Sequence, residues 1–175
     1  MFQFSKVLKF ILLIMFIYGC KKQEVVSPIP TLTFVGFDQI KNSSSKDSSG
    51  VLRLAFTDGD GDMGLSPADT FPPFNYGSKF YFNFFINYFE KQNGEWIKIV
   101  LPPIEPGGDT LTNNSRIPDL TPVGQNKVLQ GDLIFELFTN NPFSPYDTIK
   151  YEVTIVDRAL NRSNLVSTQE IILVK

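Results

Sequence analysis

The sequence predicts an all-β domain, a β-sandwich of about seven strands with long inserted loops. Three observations predict it. Apolar and polar residues alternate with a period of two in several runs, as in Leu52-Arg53-Leu54 and Ile149-Lys150-Tyr151-Glu152-Val153-Thr154-Ile155. β-Branched and aromatic residues fill these runs, and clusters of Gly, Pro, Asn, Asp and Ser separate them. No amphipathic stretch of helical period reaches a useful length. Strands in this number, joined by turns, bury one face each by packing as two sheets.

The elements follow in order. Thr31 to Phe37 opens the domain, with Leu32 and Phe34 on one face. Residues 41–50 are rich in Lys, Asn, Ser, Asp and Gly and read as a solvated turn. Val51 to Phe56 alternates cleanly. Farther on, Phe80, Phe82, Phe84, Ile86 and Tyr88 share one face of a long predicted strand. Asn93-Gly94 then signals a type I′ hairpin turn. Pairing across it sets Glu90 opposite Ile97, Tyr88 opposite Ile99 and Lys91 opposite Trp96. Residues 101–126 form a loop rich in Pro, Gly, Asn and Thr, interrupted by an extended piece near Arg116-Ile117. Loops of that length are often functional. Leu133, Phe135 and Leu137 mark the next strand, 140–147 a turn, and Ile149 to Ile155 another strand. A last strand is expected over about Ser163–Val174.

The N-terminus has a separate logic. Lys6 and Lys9 precede the apolar run Phe10 to Tyr18, which ends at Gly19-Cys20. A run this short does not span a bilayer, which takes roughly 20 apolar residues. Basic region, short apolar region, small residue and cysteine are the layout of an exported leader. Ile17-Tyr18-Gly19-Cys20 resembles the lipobox of bacterial lipoproteins, with Tyr18 where a small residue is usual. The resemblance implies a signal peptide over 1–19, lipid (palmitate among its acyl chains) on Cys20, and a location in the cell envelope, at the outer membrane. Residues 20–30, with Pro28 and Pro30, read as a tether, and 31–175 as one domain. Cys20 is the only cysteine. Lipidation consumes it, so the domain depends on its core for stability.

Composition excludes several functions. There is no histidine, which removes Ser-His-Asp and Cys-His catalysis and His-ligated zinc. The net charge is −2 and becomes more negative without the leader lysines, which argues against nucleic acid. Carboxylates such as Glu90, Glu95, Glu105 and Asp109 are present, but no motif selects a catalytic pair. The expectation is a protein that is not an enzyme.

Asp58-Gly-Asp60-Gly-Asp62-Met-Gly64 is the sharpest motif. Alternate carboxylates separated by glycine can fold inward around one hard cation, and Ca2+ takes 6–8 oxygens. The spacing partly resembles an EF-hand loop, with Asp58, Asp60 and Asp62 at positions one, three and five and Asp69 at twelve. It departs at Met63, where that loop has glycine, and at Pro67. The loop reads either as a Ca2+ loop on a β scaffold or as a solvated acidic, glycine-rich turn that holds no ion.

The run Val153-Thr-Ile-Val-Asp157-Arg-Ala-Leu-Asn161-Arg-Ser163 resembles the penultimate strand and following turn of bacterial immunoglobulin-like domains. With the Thr57–Gly64 loop and the leader, the chain resembles a family of uncharacterised lipoproteins from Gram-negative bacteria. The resemblance implies an immunoglobulin-like sandwich and no assigned activity. In that fold the loop after the second strand and the loop before the last lie at one pole. Two outcomes stay open there. Asp157 completes a cation shell with Asp58, Asp60, Asp62 and Asp69, or Arg158 neutralises the cluster and replaces the ion.

A second constellation is aromatic. Tyr81, Phe85, Phe89 and Trp96 fall on the other face of the hairpin, interleaved with Asn83 and Asn87. The 101–126 segment is expected to fold over this strip; if left exposed, the strip would suit stacking on sugar rings. The functional expectation is a membrane-anchored binding or interaction module whose partner is an envelope protein or a glycan.

Overall fold

Eight strands form among the residues that the computed structural model describes, which are 26–103, 110–124 and 127–175. They are β1 (Thr31–Lys41), β2 (Asp47–Asp58), β3 (Phe84–Gln92), β4 (Glu95–Ile99), β5 (Leu129–Phe138), β6 (Thr148–Ile155), β7 (Val166–Ser167) and β8 (Ile171–Ile172). No helix occurs among the described residues. The leader, Cys20, Glu105 and Asp109 lie outside them.

The strands make two antiparallel sheets. One has the order β1-β2-β5; the other has β4-β3-β6-β7, with β8 also paired to β6. The sheets pack face to face as a β-sandwich. Period-two alternation sends Leu52, Leu54 and Phe56 of β2 inward against Phe84, Ile86 and Tyr88 of β3 and Ile149, Tyr151, Val153 and Ile155 of β6. Phe84 stacks on Phe135 of β5 across the sandwich at 4.3 Å between ring centres. The Tyr151 hydroxyl donates to the Phe138 carbonyl at 3.0 Å, so the largest core ring also has its polar end satisfied. Asn164 joins the sheets at one seam. Its side-chain oxygen accepts from Leu32 N–H at 2.8 Å, and its amide donates to the Leu32 carbonyl at 2.9 Å.

The β3–β4 hairpin has the register that Asn93-Gly94 predicts, with Glu90 opposite Ile97, Tyr88 opposite Ile99 and Lys91 opposite Trp96. Both turn residues have positive φ, 53° and 90°, as a type I′ turn requires.

Two expectations need correction, and two contacts were not anticipated. The long strand starts at Phe84, so Phe80 and Phe82 lie in the preceding loop. The edge of β3 that β4 leaves open at Phe84–Ile86 is taken by the long loop instead. Phe84 and Ser115 exchange backbone hydrogen bonds at 3.0 and 2.9 Å, and Asn114 Oδ1 accepts from Ile86 N–H at 2.9 Å. The last strand is broken into β7 and β8 because Thr168 intervenes. Its hydroxyl, rather than its carbonyl, accepts the Tyr151 N–H at 3.0 Å. Finally, the end of the tether is docked on the domain. Pro30 is buried, and Ser27 C=O accepts Gly59 N–H at 2.9 Å. A side chain at Gly59 would collide with the Ser27 and Val26 carbonyls, so glycine is required for this approach.

Candidate cation site at the acidic pole

Two inward-facing rows end in a carboxylate. On β2 the buried series Leu52, Leu54, Phe56 continues at Asp58. On β6 the buried series Ile149, Tyr151, Val153, Ile155 continues two residues later at Asp157. The period that builds the core thus carries both aspartates inward, from opposite sheets, at the same pole.

Asp62 joins them by a turn. Gly61 and Gly64 take positive φ, 67° and 100°, and let the chain reverse after β2. Met63 is fully buried and anchors the loop in the core. Its carbonyl accepts Leu120 N–H at 3.0 Å, and Leu65 N–H donates to the Ile117 carbonyl at 2.9 Å. The core contact explains Met63, which departs from the EF-hand pattern.

Asp58, Asp62 and Asp157 each bring a carboxylate oxygen within 4.8 Å of the others. Their partners differ sharply. Asp157 accepts from Asn161 N–H at 2.7 Å and from the Asn161 side-chain amide at 2.8 Å. Asp62 Oδ2 accepts Ala159 N–H at 2.9 Å, while its Oδ1 is buried and has no donor. Asp58 is 0% exposed, and neither of its oxygens accepts a well-formed hydrogen bond; the nearby Asp62 N–H is the one donor that pulls its carboxyl down.

That arrangement is costly as three free anions. At an effective dielectric near 20, two unit charges about 5 Å apart repel by roughly 3 kcal/mol. Burial pushes the Asp58 carboxyl up to about 7, reinforced by the charges of Asp60, Asp62 and Asp157. Burial also raises Asp62, as do Asp157 and Asp60, against the opposing pull of Ala159 N–H and Arg158. Asp157 is raised by burial, partly offset by its bonds from Asn161.

Arg158 is the obvious neutralising cation, yet its Nη2 pairs elsewhere, and its Nε is buried with no acceptor. Nη2 lies 3.0 Å from Asp69 and 3.3 Å from Asp119. Asp119 sits below the usual carboxylate range, held there first by the Thr121 hydroxyl and amide and then by Arg158. Among the described residues no lysine or arginine forms an ion pair with buried Asp58 and Asp157 or half-buried Asp62. Of the five aspartates expected to ligate, the structure therefore gathers three. Asp60 is exposed at the rim. Asp69 is taken up by Arg158 and by Ser66 N–H, which donates to it at 2.6 Å.

Chemically, the cluster suits a hard cation. Oxygens on opposite sides of a Ca2+ ion stand about 4.8 Å apart, twice a bond length of 2.3–2.6 Å. The observed spacing fits within one such shell.

The aromatic strip divides into two parts. Phe85, Phe89 and Trp96 lie half-buried on the outer face of the sheet. Lys150 sits 5.0 Å from the Phe89 ring and 5.2 Å from the Trp96 ring, Lys91 5.7 Å from Trp96, and Arg162 4.7 Å from Phe85. Among the described residues these rings are met by cations, and Asn114 and Ser115 of the long loop pair with the edge of β3. Tyr81 stands apart, in the loop before β3, against Tyr76, Phe82 and Arg116.

Sequence reasoning missed two side chains. Glu90 is buried and accepts four hydrogen bonds, from Tyr88, Gln92, Asn141 and Ser144, which fasten the 140–144 turn to β3. Its place in the inward row after Tyr88 was the available signal. Arg116 donates to four backbone carbonyls, and nothing in its local sequence marks it.

No family model matches the chain, and no curated protein or solved structure matches it significantly.

Proposed function

We propose that this chain is a lipid-anchored lipoprotein of the cell envelope, an interaction module whose immunoglobulin-like domain is stapled at its acidic pole by Ca2+. The observation that carries the cation is Asp58, a fully buried carboxylate with no well-formed hydrogen bond to either oxygen. Buried carboxylates are ordinarily paired or metal-bound. The strand orders β1-β2-β5 and β4-β3-β6-β7 support the immunoglobulin-like assignment, as counterparts of A-B-E and C′-C-F-G. The leader and Cys20 support export and anchoring, since two or more acyl chains hold a protein on a membrane stably. The ion closes a loop between the sheets, a structural task that leaves the outer surfaces available for partners. A glycan-binding accessory role through Phe85, Phe89 and Trp96 has weaker support, because cations already lie over those rings.

Two measurements test the reading. Intact-mass analysis of membrane-extracted protein is expected to show a chain starting at acylated Cys20; a different start without acyl mass would refute the anchoring. Thermal scans are expected to shift upward from EDTA to millimolar Ca2+, with linkage worth about 2.7 kcal/mol at a hundredfold excess over the dissociation constant. Superimposed scans would remove the cation from the account.

A further inference from the structure

The loop between β4 and β5 carries an arginine that fastens the loop between the acidic pole and β3. Arg116 Nη1 donates to the carbonyls of Phe74 at 3.2 Å and Tyr81 at 2.7 Å. Its Nη2 donates to those of Ser66 at 3.3 Å and Asp69 at 3.2 Å. Four carbonyls from separated points are drawn onto one planar cation, so the 66–81 stretch is held as a fixed wall rather than a floppy insertion.

That wall frames two adjoining hollows of about 360 and 420 Å3. Both are lined by Tyr76 and Tyr81, so they form one elongated groove with an aromatic ridge between its halves. Tyr76 is 72% exposed and meets Tyr81 edge-on, 5.1 Å between ring centres at 80°. Phe74 lines one half and Phe82 the other.

The charged groups along the groove are already committed. Asp69 is bound to Arg158 and Ser66, and Arg116 to its four carbonyls. What remains is hydroxyl and amide chemistry: the Thr70 and Ser78 hydroxyls donate to the Ala68 and Pro73 carbonyls and keep only acceptor capacity, beside Thr112 and Asn114. The Asn114 oxygen accepts from Ile86 N–H, and the Thr112 oxygen accepts from Asn114 N–H, which leaves amide and hydroxyl protons to donate.

We propose that this groove binds a neutral oligosaccharide. Sugar rings present apolar C–H faces to aromatic rings and hydroxyls at their edges to side-chain amides and hydroxyls. An elongated groove with aromatic faces and no uncommitted charge matches that chemistry. A proline-rich peptide also stacks on aromatic grooves, but it can only accept, so it leaves the Thr70 and Ser78 oxygens unmatched, whereas sugar hydroxyls both donate and accept. The site is distinct from the acidic pole and from Phe85, Phe89 and Trp96. It supplies a ligand class for the interaction module and does not depend on Ca2+.

The test uses the full chain in a detergent without a sugar head group. Neutral hexasaccharides of glucose, mannose, galactose and xylose, a heparin hexasaccharide and a proline-rich decapeptide are titrated calorimetrically. At least one neutral hexasaccharide is expected to bind saturably, Tyr76→Ala to weaken it about tenfold or more, and Trp96→Ala to change it by less than about twofold. Equal unfolding midpoints show that both variants fold; because Tyr76 is largely exposed, its removal leaves the core intact. If Tyr76→Ala fails that check, Thr112→Ala replaces it, with the same direction expected. The proposal is overturned if no neutral sugar saturates up to about 10 mM. It is equally overturned if Trp96→Ala abolishes binding and Tyr76→Ala does not, or if the peptide or heparin binds through Tyr76 in place of the neutral sugars.

Discussion

Asp58 titrates in the direction opposite to most structural carboxylates. Its carboxyl is raised from 3.8 to about 7, so the folded state without a cation binds more protons than the unfolded chain between those values. Stability therefore falls as pH rises through this window, and the full penalty is present above about 7. A shift of this size corresponds to at most about 4 kcal/mol. Asp58→Asn mimics the protonated form. In EDTA, urea unfolding is expected to find the variant close to the parent at about pH 5 and more stable than it at about pH 7.5. A difference independent of pH would contradict the electrostatics described for the pole. Asp58 and Asp157 were legible in the sequence, because each extends an alternating apolar row by one more inward position. Asp69 was not. Its choice of Arg158 over the cluster depends on where the loop folds and on Asp119, which is fifty residues away and shares the same guanidinium.

At the level of elements, the strands were legible and the connections were not. Alternation located β1, β2, β5 and β6, and the Asn93-Gly94 turn set the β3–β4 register. Phe80 and Phe82 continue the row of Phe84 by parity, yet no strand pairs there, because Ser78 to Asn83 turns away beneath Arg116. Tertiary hydrogen bonding decided that boundary, and local pattern carries no trace of it. Arg116→Lys keeps the charge but loses the planar fork. It is expected to cost about 1–3 kcal/mol, since most of the four carbonyl bonds cannot be remade by one ammonium. Limited proteolysis should then cut within 66–81 well before global unfolding. A variant as protease-resistant as the parent would show that the loop is held by other means.

Across the whole molecule, the acidic pole joins parts of the chain that are far apart in sequence. Asp58 ends β2, Asp62 lies in the loop after it, and Asp157 follows β6 on the other sheet. The chain also enters the domain here, since Ser27 is bonded to Gly59 beside Asp58. A cation at this point would tie sheet to sheet next to the tether. The layering of two sheets followed from strand number and alternation, but which strands share a sheet did not, because partner choice is set by loop paths the sequence pattern leaves open. On this reading Asp58, Asp62 and Asp157 together hold one ion. Equilibrium dialysis of chelator-treated protein against Ca2+ tests it most directly. The account predicts one bound ion per chain and none in Asp58→Asn. No bound ion in the parent, or undiminished binding in Asp58→Asn, would contradict it.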